Sequence, residues 1–217
     1  MELIYGTGNQ AKLSAMQRTL EGLPVTIISL KQAVEREKIL LPEIDENGAT
    51  PLENARIKAH IYYKHFKKPV FSCDSGLYLW NAKTGEMLPE ELQPGIHVRG
   101  RGEKRLTDEE LILHYTGLAK EYGPVLARYK NGICLVADKE HVFECMDESL
   151  WGQAFLLADT PHPRRIPGFP LDSISIEISS NRYYYDLSGN SQDVVACQAG
   201  FRQFFERYMK MADLRDA

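Results

Sequence analysis

Cysteine is scarce in this chain. The four cysteines among 217 residues show no C-x-x-C spacing, which argues against both a zinc site and a disulfide framework. Cys73, Cys134, Cys145 and Cys197 read as reduced thiols, and the six histidines form no H-E-x-x-H pattern. Long apolar runs are also missing. Stretches such as Ile133-Cys134-Leu135-Val136-Ala137 fall far short of the ~20 residues a membrane span needs. Met1-Glu2-Leu3-Ile4-Tyr5 has neither a basic segment nor an extended apolar one, so no secretory signal is expected. Positive charge is not in excess: 26 Lys and Arg stand against 30 Asp and Glu, for a net charge of −4. That balance argues against nucleic acid as a partner but leaves small phosphorylated ligands open, since those need only a few donors. There is no internal repeat and no linker rich in Gly, Ser or Pro. What remains is a soluble, cytoplasmic chain whose 43% hydrophobic content is enough for a real core.

What is present alternates between strand and helix patterns. Leu3-Ile4-Tyr5 reads as a strand running into the turn Gly6-Thr7-Gly8-Asn9. Leu13, Met16, Gln17 and Leu20 then recur at helical spacing as far as Gly22 and Pro24, and Val25–Leu30 is a β-branched second strand. This opening predicts an α/β fold. Thr50-Pro51-Leu52-Glu53 predicts a capping box with proline at the first helical position, opening a helix toward Phe66. Val70–Cys73 reads as a strand, interrupted at Asp74-Ser75-Gly76 and resumed at Leu77–Trp80. Thr107-Asp108-Glu109-Glu110 opens another helix, to about Tyr122. The runs Val125–Ala137, Val142–Met146 and Trp151–Leu157 predict an antiparallel meander, Ser173–Ile178 a half-buried strand, and 191–211 a last helix. One domain, 1–217, with a central mixed sheet flanked by helices accounts for these patterns.

Three segments carry candidate chemistry. In Gly6-Thr7-Gly8-Asn9-Gln10-Ala11-Lys12 the glycines permit close backbone approach, the helix start offers N–H groups to an anion, and Lys12 adds charge. It lacks the G-x-x-x-x-G-K-[ST] pattern and the third glycine of a dinucleotide fingerprint, so a purely structural turn stays open. Asp74 stands where α/β proteins place ligands. It is a hard oxygen donor for Mg²⁺ and can position water, although Asp-Ser-Gly is also a common turn. The acidic run Glu43-Ile44-Asp45-Glu46 precedes the helix bearing Lys58, and the residues alone do not choose among its carboxylates. Together the three segments suit a triphosphate held with Mg²⁺.

Thr7-Gly8-Asn9-Gln10-Ala11-Lys12 resembles the T-G-N-x-x-K opening of the inosine triphosphate pyrophosphatase family, enzymes that clear deaminated purine nucleotides. Glu53-Asn54-Ala55-Arg56-Ile57-Lys58-Ala59 resembles its E-N-A-x-x-K-A helix. Asp74-Ser75-Gly76-Leu77 resembles its D-S-G-L motif, Pro94–Arg99 its P-G-[IV]-x-x-R segment, and Gly168-Phe169-Pro170-Leu171-Asp172 its G-F-G-[YW]-D loop. The resemblance implies an elongated α/β fold of two lobes with a nucleotide cleft between them, usually as a homodimer. It implies Mg²⁺-dependent hydrolysis of non-standard purine nucleoside triphosphates such as ITP, dITP and XTP to monophosphate and pyrophosphate. Carried over, Thr7, Gly8, Asn9, Gln10, Ala11 and Lys12 line the phosphates and Lys58 balances their charge. Asp74 binds Mg²⁺ and takes the proton of the attacking water. Glu43 or Glu46 supplies the second metal carboxylate, Ser75 touches the nucleotide, Phe169 stacks on the base and Asp172 hydrogen-bonds it.

The chain departs from that pattern in places. Cys73 replaces an acidic residue beside Asp74. The purine-gripping S-H-R appears as Ser188-Gly189-Asn190, and Pro161-His162-Pro163-Arg164-Arg165 precedes the altered base loop. Arg99, Arg164 and Arg165 are the candidates to replace the missing arginine. Two other readings follow from the departures: a non-catalytic nucleotide-binding protein of the same fold, and a hydrolase of another phosphorylated metabolite.

Overall fold

A computed structural model describes residues 1–100, 105–166, 169–187 and 193–216. Five α-helices flank an eight-stranded mixed sheet: β1 (Glu2–Tyr5), α1 (Gln10–Thr19), β2 (Thr26–Ser29), α2 (Leu30–Glu37), α3 (Pro51–Phe66), β3 (Val70–Asn81), α4 (Asp108–Tyr122), β4 (Val125–Val136), β5 (Val142–Cys145), β6 (Phe155–Leu157), β7 (Ser175–Glu177), β8 (Arg182–Tyr183) and α5 (Asp193–Asp216). The strand order is β2-β1-β3-β4-β6-β7-β8, with β5 also on β4. No helix among the described residues is long and apolar enough to cross a membrane.

The chain divides into two compact units. The first comprises Met1–Ser75, Lys130–Trp151 and the segment from Val194. Here β1 runs parallel to β2 and to the start of β3, pairing Ile4 with Val70 and Tyr5 with Phe71. Strand alternation sends Leu3, Tyr5, Phe71 and Cys73 into a core with Leu13 and Met16 of α1 and Phe204 and Phe205 of α5. Tyr5 stacks on Phe71 at 4.4 Å, and Phe71 meets the edge of Phe205 at 5.0 Å. Ile4, Ile28 and Val70 form a separate cluster with Ala33 of α2 and with Tyr62 and Phe66 of α3. The second unit comprises Gly76–Tyr129 and Gly152–Asp193. In it Leu111, Ile112 and Tyr115 of α4 pack with Leu77, Leu79, Val125 and Phe155 of the strands.

Several elements differ from the sequence expectation. Asp74-Ser75-Gly76 makes no turn, because β3 continues unbroken from Val70 to Asn81 with β4 as its neighbour, and sheet pairing overrides the local turn preference. Leu30 begins α2 instead of ending a strand. Its start is a full capping box in which Ser29 and Gln32 exchange hydrogen bonds. The Thr107–Glu110 box of α4 forms as expected. At α3 only half of it forms: Thr50 Oγ accepts from Glu53 N, while the Glu53 carboxylate accepts from Ala49 N instead. Ser173–Ile178 splits into a 3-10 turn over Pro170–Ile174 followed by the short β7. The meander is partial: β5 and β6 both pair antiparallel with β4, at its opposite ends. Helix α5 extends to Asp216, and the side chains of Val194 and Cys197, expected on its buried side, lie outside the described residues.

Candidate functional site

The first loop is built on a glycine that nothing larger can replace. Gly6 N donates to Phe71 O at 2.8 Å, binding the end of β1 to β3. A Cβ at Gly6 would lie 2.1 Å from Ser72 Oγ and 2.8 Å from a ring carbon of Tyr62. Beyond it, Thr7 Oγ1 accepts from Asn9 N at 3.1 Å, and Asn9 Oδ1 accepts from Lys12 N at 3.2 Å. Thr7 and Asn9 thus hold the start of α1 in shape, and two of the N–H groups expected to be open to an anion are already taken. Gly8 and Gln10 are exposed, and a Cβ at Gly8 meets nothing within 4 Å. Ala11 lies in the first turn of α1.

Helix α3 supplies the second group. Asn54 and Lys58 are four residues apart, so both side chains fall on one helix face, and both reach Asp74. Asn54 Nδ2 donates to Asp74 Oδ2 at 3.1 Å, and Lys58 Nζ donates to Asp74 Oδ1 at 3.2 Å. Asn54 is buried, and its Oδ1 accepts from Gly48 N at 2.8 Å, which ties the acidic loop to the same spot. That tie brings Glu46 in: Lys58 Nζ also donates to Glu46 Oε2, at 2.8 Å. Burial works to lower the Lys58 pKa, but Asp74 and Glu46 together outweigh it and raise it, so the ammonium stays charged at neutral pH. Of the three acids the sequence left open, Glu46 is the one beside Asp74. Glu43 is exposed, and Asp45 accepts from Asn47 Nδ2 at 3.1 Å.

Alternation along β3 separates Asp74 from its neighbours. Cys73 and Ser75 turn to the opposite face and line a cavity of about 150 Å³ with Tyr5, Lys12 and Asn131. Burial pushes the Cys73 thiol up to about 12, with the Lys12 charge pulling it partly back, so the side chain is neutral. Lys12 therefore stands with Cys73 and Ser75, while Lys58 stands with Asp74 and Glu46. The two sets flank the strand where β1 ends. Position 73 thus lies on the Lys12 side of the strand, although its thiol also feels the charges of Lys58 and Asp74.

Phe169 and Asp172 belong to the second unit. Phe169 is exposed, and its carbonyl accepts from Tyr185 Oη at 3.4 Å. The Arg164 guanidinium lies over the Tyr185 ring at 5.1 Å. Arg99 pairs with Asp108 at 2.8 Å and Arg165 with Glu109 at 3.0 Å, whereas Arg164 has no carboxylate partner among the described residues. Gly168 and Ser188-Gly189-Asn190 lie outside the described residues. Asn54 and Tyr185 thus join the candidate residues. Asn54 was readable from its place four residues before Lys58, but Tyr185 had no sequence signal.

Burial pushes the Asp172 carboxyl up to about 6. A folded-state value above the ordinary 3.8 means that the folded protein keeps a proton the unfolded chain releases. The group therefore costs stability progressively as pH rises from about 4 to about 6, and the cost persists above that range. Asp172→Asn is expected to stabilise the protein at pH 7 by on the order of 2 kcal/mol and to change little at pH 4. Thermal melts at the two pH values check this.

A profile of the Ham1 family matches residues 3–155. The dITP/XTP pyrophosphatase of Porphyromonas gingivalis is 30% identical over 145 residues, covering 66% of this chain and 68% of that one. The dITP/XTP pyrophosphatase of an Anaeromyxobacter species is 34% identical over 77 residues, 36% of this chain and 32% of its own length. The structure of a HAM1 protein from Coxiella burnetii superposes with a TM-score of 0.70 over 97% of this chain and 99% of that one. At 22% identity that likeness speaks for the fold alone.

Proposed function

From the premise that this chain belongs to the Ham1 family, we propose that it is a hydrolase of acid anhydrides that cleaves nucleoside triphosphates to the monophosphate and pyrophosphate. Non-standard purine nucleotides such as dITP, ITP and XTP are its substrates in this reading. One observation carries it: Asp74, Asn54, Lys58 and Glu46 converge on one point, two residues along β3 from Ser72, whose hydroxyl donates to Gly6 O at the head of the first loop. Phosphoanhydride hydrolysis asks mainly for positioning and charge neutralisation, and this group offers both.

The Asp74 carboxylate takes the proton of the attacking water, and Asn54 fixes its orientation through Oδ2. Lys58 balances phosphate charge from one side of β3 and Lys12 from the other, with Thr7, Gly8, Asn9, Gln10 and Ala11 shaping the phosphate loop and Ser75 touching the nucleotide. Phe169 stacks on the base and Asp172 hydrogen-bonds it. The donor set fits Mg²⁺, since two hard carboxylates, Asp74 and Glu46, face one point already favourable to a cation. Mg²⁺ keeps several waters and needs only one or two carboxylates besides substrate phosphates. When bound there it supplies charge neutralisation at the phosphates. Glu46 is the second ligand in this reading, and Glu43 is not. A homodimer, as the family resemblance implies, belongs to the same proposal.

The test is pyrophosphate release from dITP, XTP, ITP, dATP and dGTP, with Mg²⁺ and with EDTA. Release from the deaminated purines that EDTA abolishes is the expected result. Failure to release pyrophosphate from any nucleotide overturns the proposal. Thermal stabilisation by nucleotide without turnover would assign the chain to a binding role instead.

A further inference from the structure

The ammonium of Lys58 occupies the point that the proposed reaction assigns to a divalent cation. It lies 2.8 Å from Glu46 Oε2 and 3.2 Å from Asp74 Oδ1, while Asn54 engages the other oxygen of Asp74. The lysine side chain is only 12% exposed and that of Asp74 16%, so this contact is largely shielded from water, whereas Glu46 is 47% exposed and closes the seat from the solvent side. We propose, resting on the pyrophosphatase reading, that Lys58 holds the cation seat of the free protein and that the metal enters only together with a polyphosphate that draws the ammonium off.

The physical argument is one of competition. A divalent cation and an ammonium cannot both lie between the same two carboxylates, because they repel each other and need the same oxygens. A metal ion arriving alone must expel a charge-assisted, partly desolvated ammonium whose carboxylate partners among the described residues are these two. A metal–triphosphate complex removes that obstacle, since its phosphates give the ammonium a new counter-charge as the carboxylates take the metal. Lysine suits such an exchange, being a point charge on a flexible four-carbon stem. The partners that stay behind are fixed: Asn54 keeps hold of both Asp74 and Gly48 N, so the seat keeps its shape when the ammonium leaves. Lys58 is thereby a positioning residue that sets the order of binding as well as a counter-charge to phosphate.

Mn²⁺ alone, with no nucleotide, is the probe, titrated by electron paramagnetic resonance into the full chain. Wild-type protein is expected to bind it weakly. Lys58→Met is expected to bind it about tenfold more tightly or better, the order expected when a charge-assisted competitor is removed. The gain is expected to vanish in Lys58→Met combined with Asp74→Asn. Lys58→Gln, which keeps a polar stem end without the charge, carries the same expectation should the methionine variant fail to fold. Equal or weaker Mn²⁺ binding by the neutral variants, or a gain that survives loss of the Asp74 charge, overturns the proposal. The titration involves no turnover, so a chain that hydrolyses no nucleotide would refute the pyrophosphatase reading while leaving this result separately legible.

Discussion

Asp74→Asn is expected to lower pyrophosphate release from dITP by about 10³-fold, within the range that loss of a positioned proton acceptor gives. The two side chains have nearly the same shape, so the change acts through charge and hydrogen-bond polarity. The carboxylate accepts from Asn54 Nδ2 on one oxygen and from Lys58 Nζ on the other. An asparagine can accept on one side only and must point an N–H₂ group at one of those two donors. It also cannot take a proton from water or hold a cation as a carboxylate does. Steady-state kinetics at saturating Mg²⁺ would check this, with circular dichroism to verify the fold. A loss smaller than about tenfold, against the 10²–10⁴ of general base catalysis, would remove Asp74 from the role of base.

Gly132→Ala is expected to produce a large loss of stability in the first unit. A Cβ there would fall 2.5 Å from Leu52 N, 2.6 Å from Leu52 Cα and 2.8 Å from Pro51 C. All three are backbone atoms at the capped start of α3, and no side-chain rotation relieves the clash. Helix or strand must shift, at a cost of about 2–4 kcal/mol. For a chain of this length that lowers Tm by roughly 5–15 °C. The same shift carries Asn54 and Lys58 away from Asp74, so activity falls with stability. Gly8→Ala is the control for the melting experiment, because a Cβ there meets nothing within 4 Å and Tm should hardly move.

How far the sequence foretold this structure depends on how local each signal is. Helix α4 was legible because Thr107 and Glu110 satisfy each other within one turn. Helix α2 had the same kind of signal in Ser29 and Gln32, but the β-branched run before it concealed where the strand ended. Asp74-Ser75-Gly76 misled because three turn-forming residues were weighed without the strand beside them. In the site, Asp74 and Lys58 could be singled out from residue type and family pattern. That Glu46 shares the Lys58 ammonium with Asp74 could not, since it depends on a lysine twelve positions away and on an amide that fixes the loop. That Cys73 faces away from Asp74 was within reach of the period-2 rule alone once the strand was known to be continuous.

A single primary amide bridges the strand acid and the acidic loop through its two ends. A displacement of the carboxylate therefore pulls on Gly48, on a separate stretch of chain. In the proposed reaction, a ligand that shifts the carboxylate would shift the acidic loop with it, and Asn54 is the link between them.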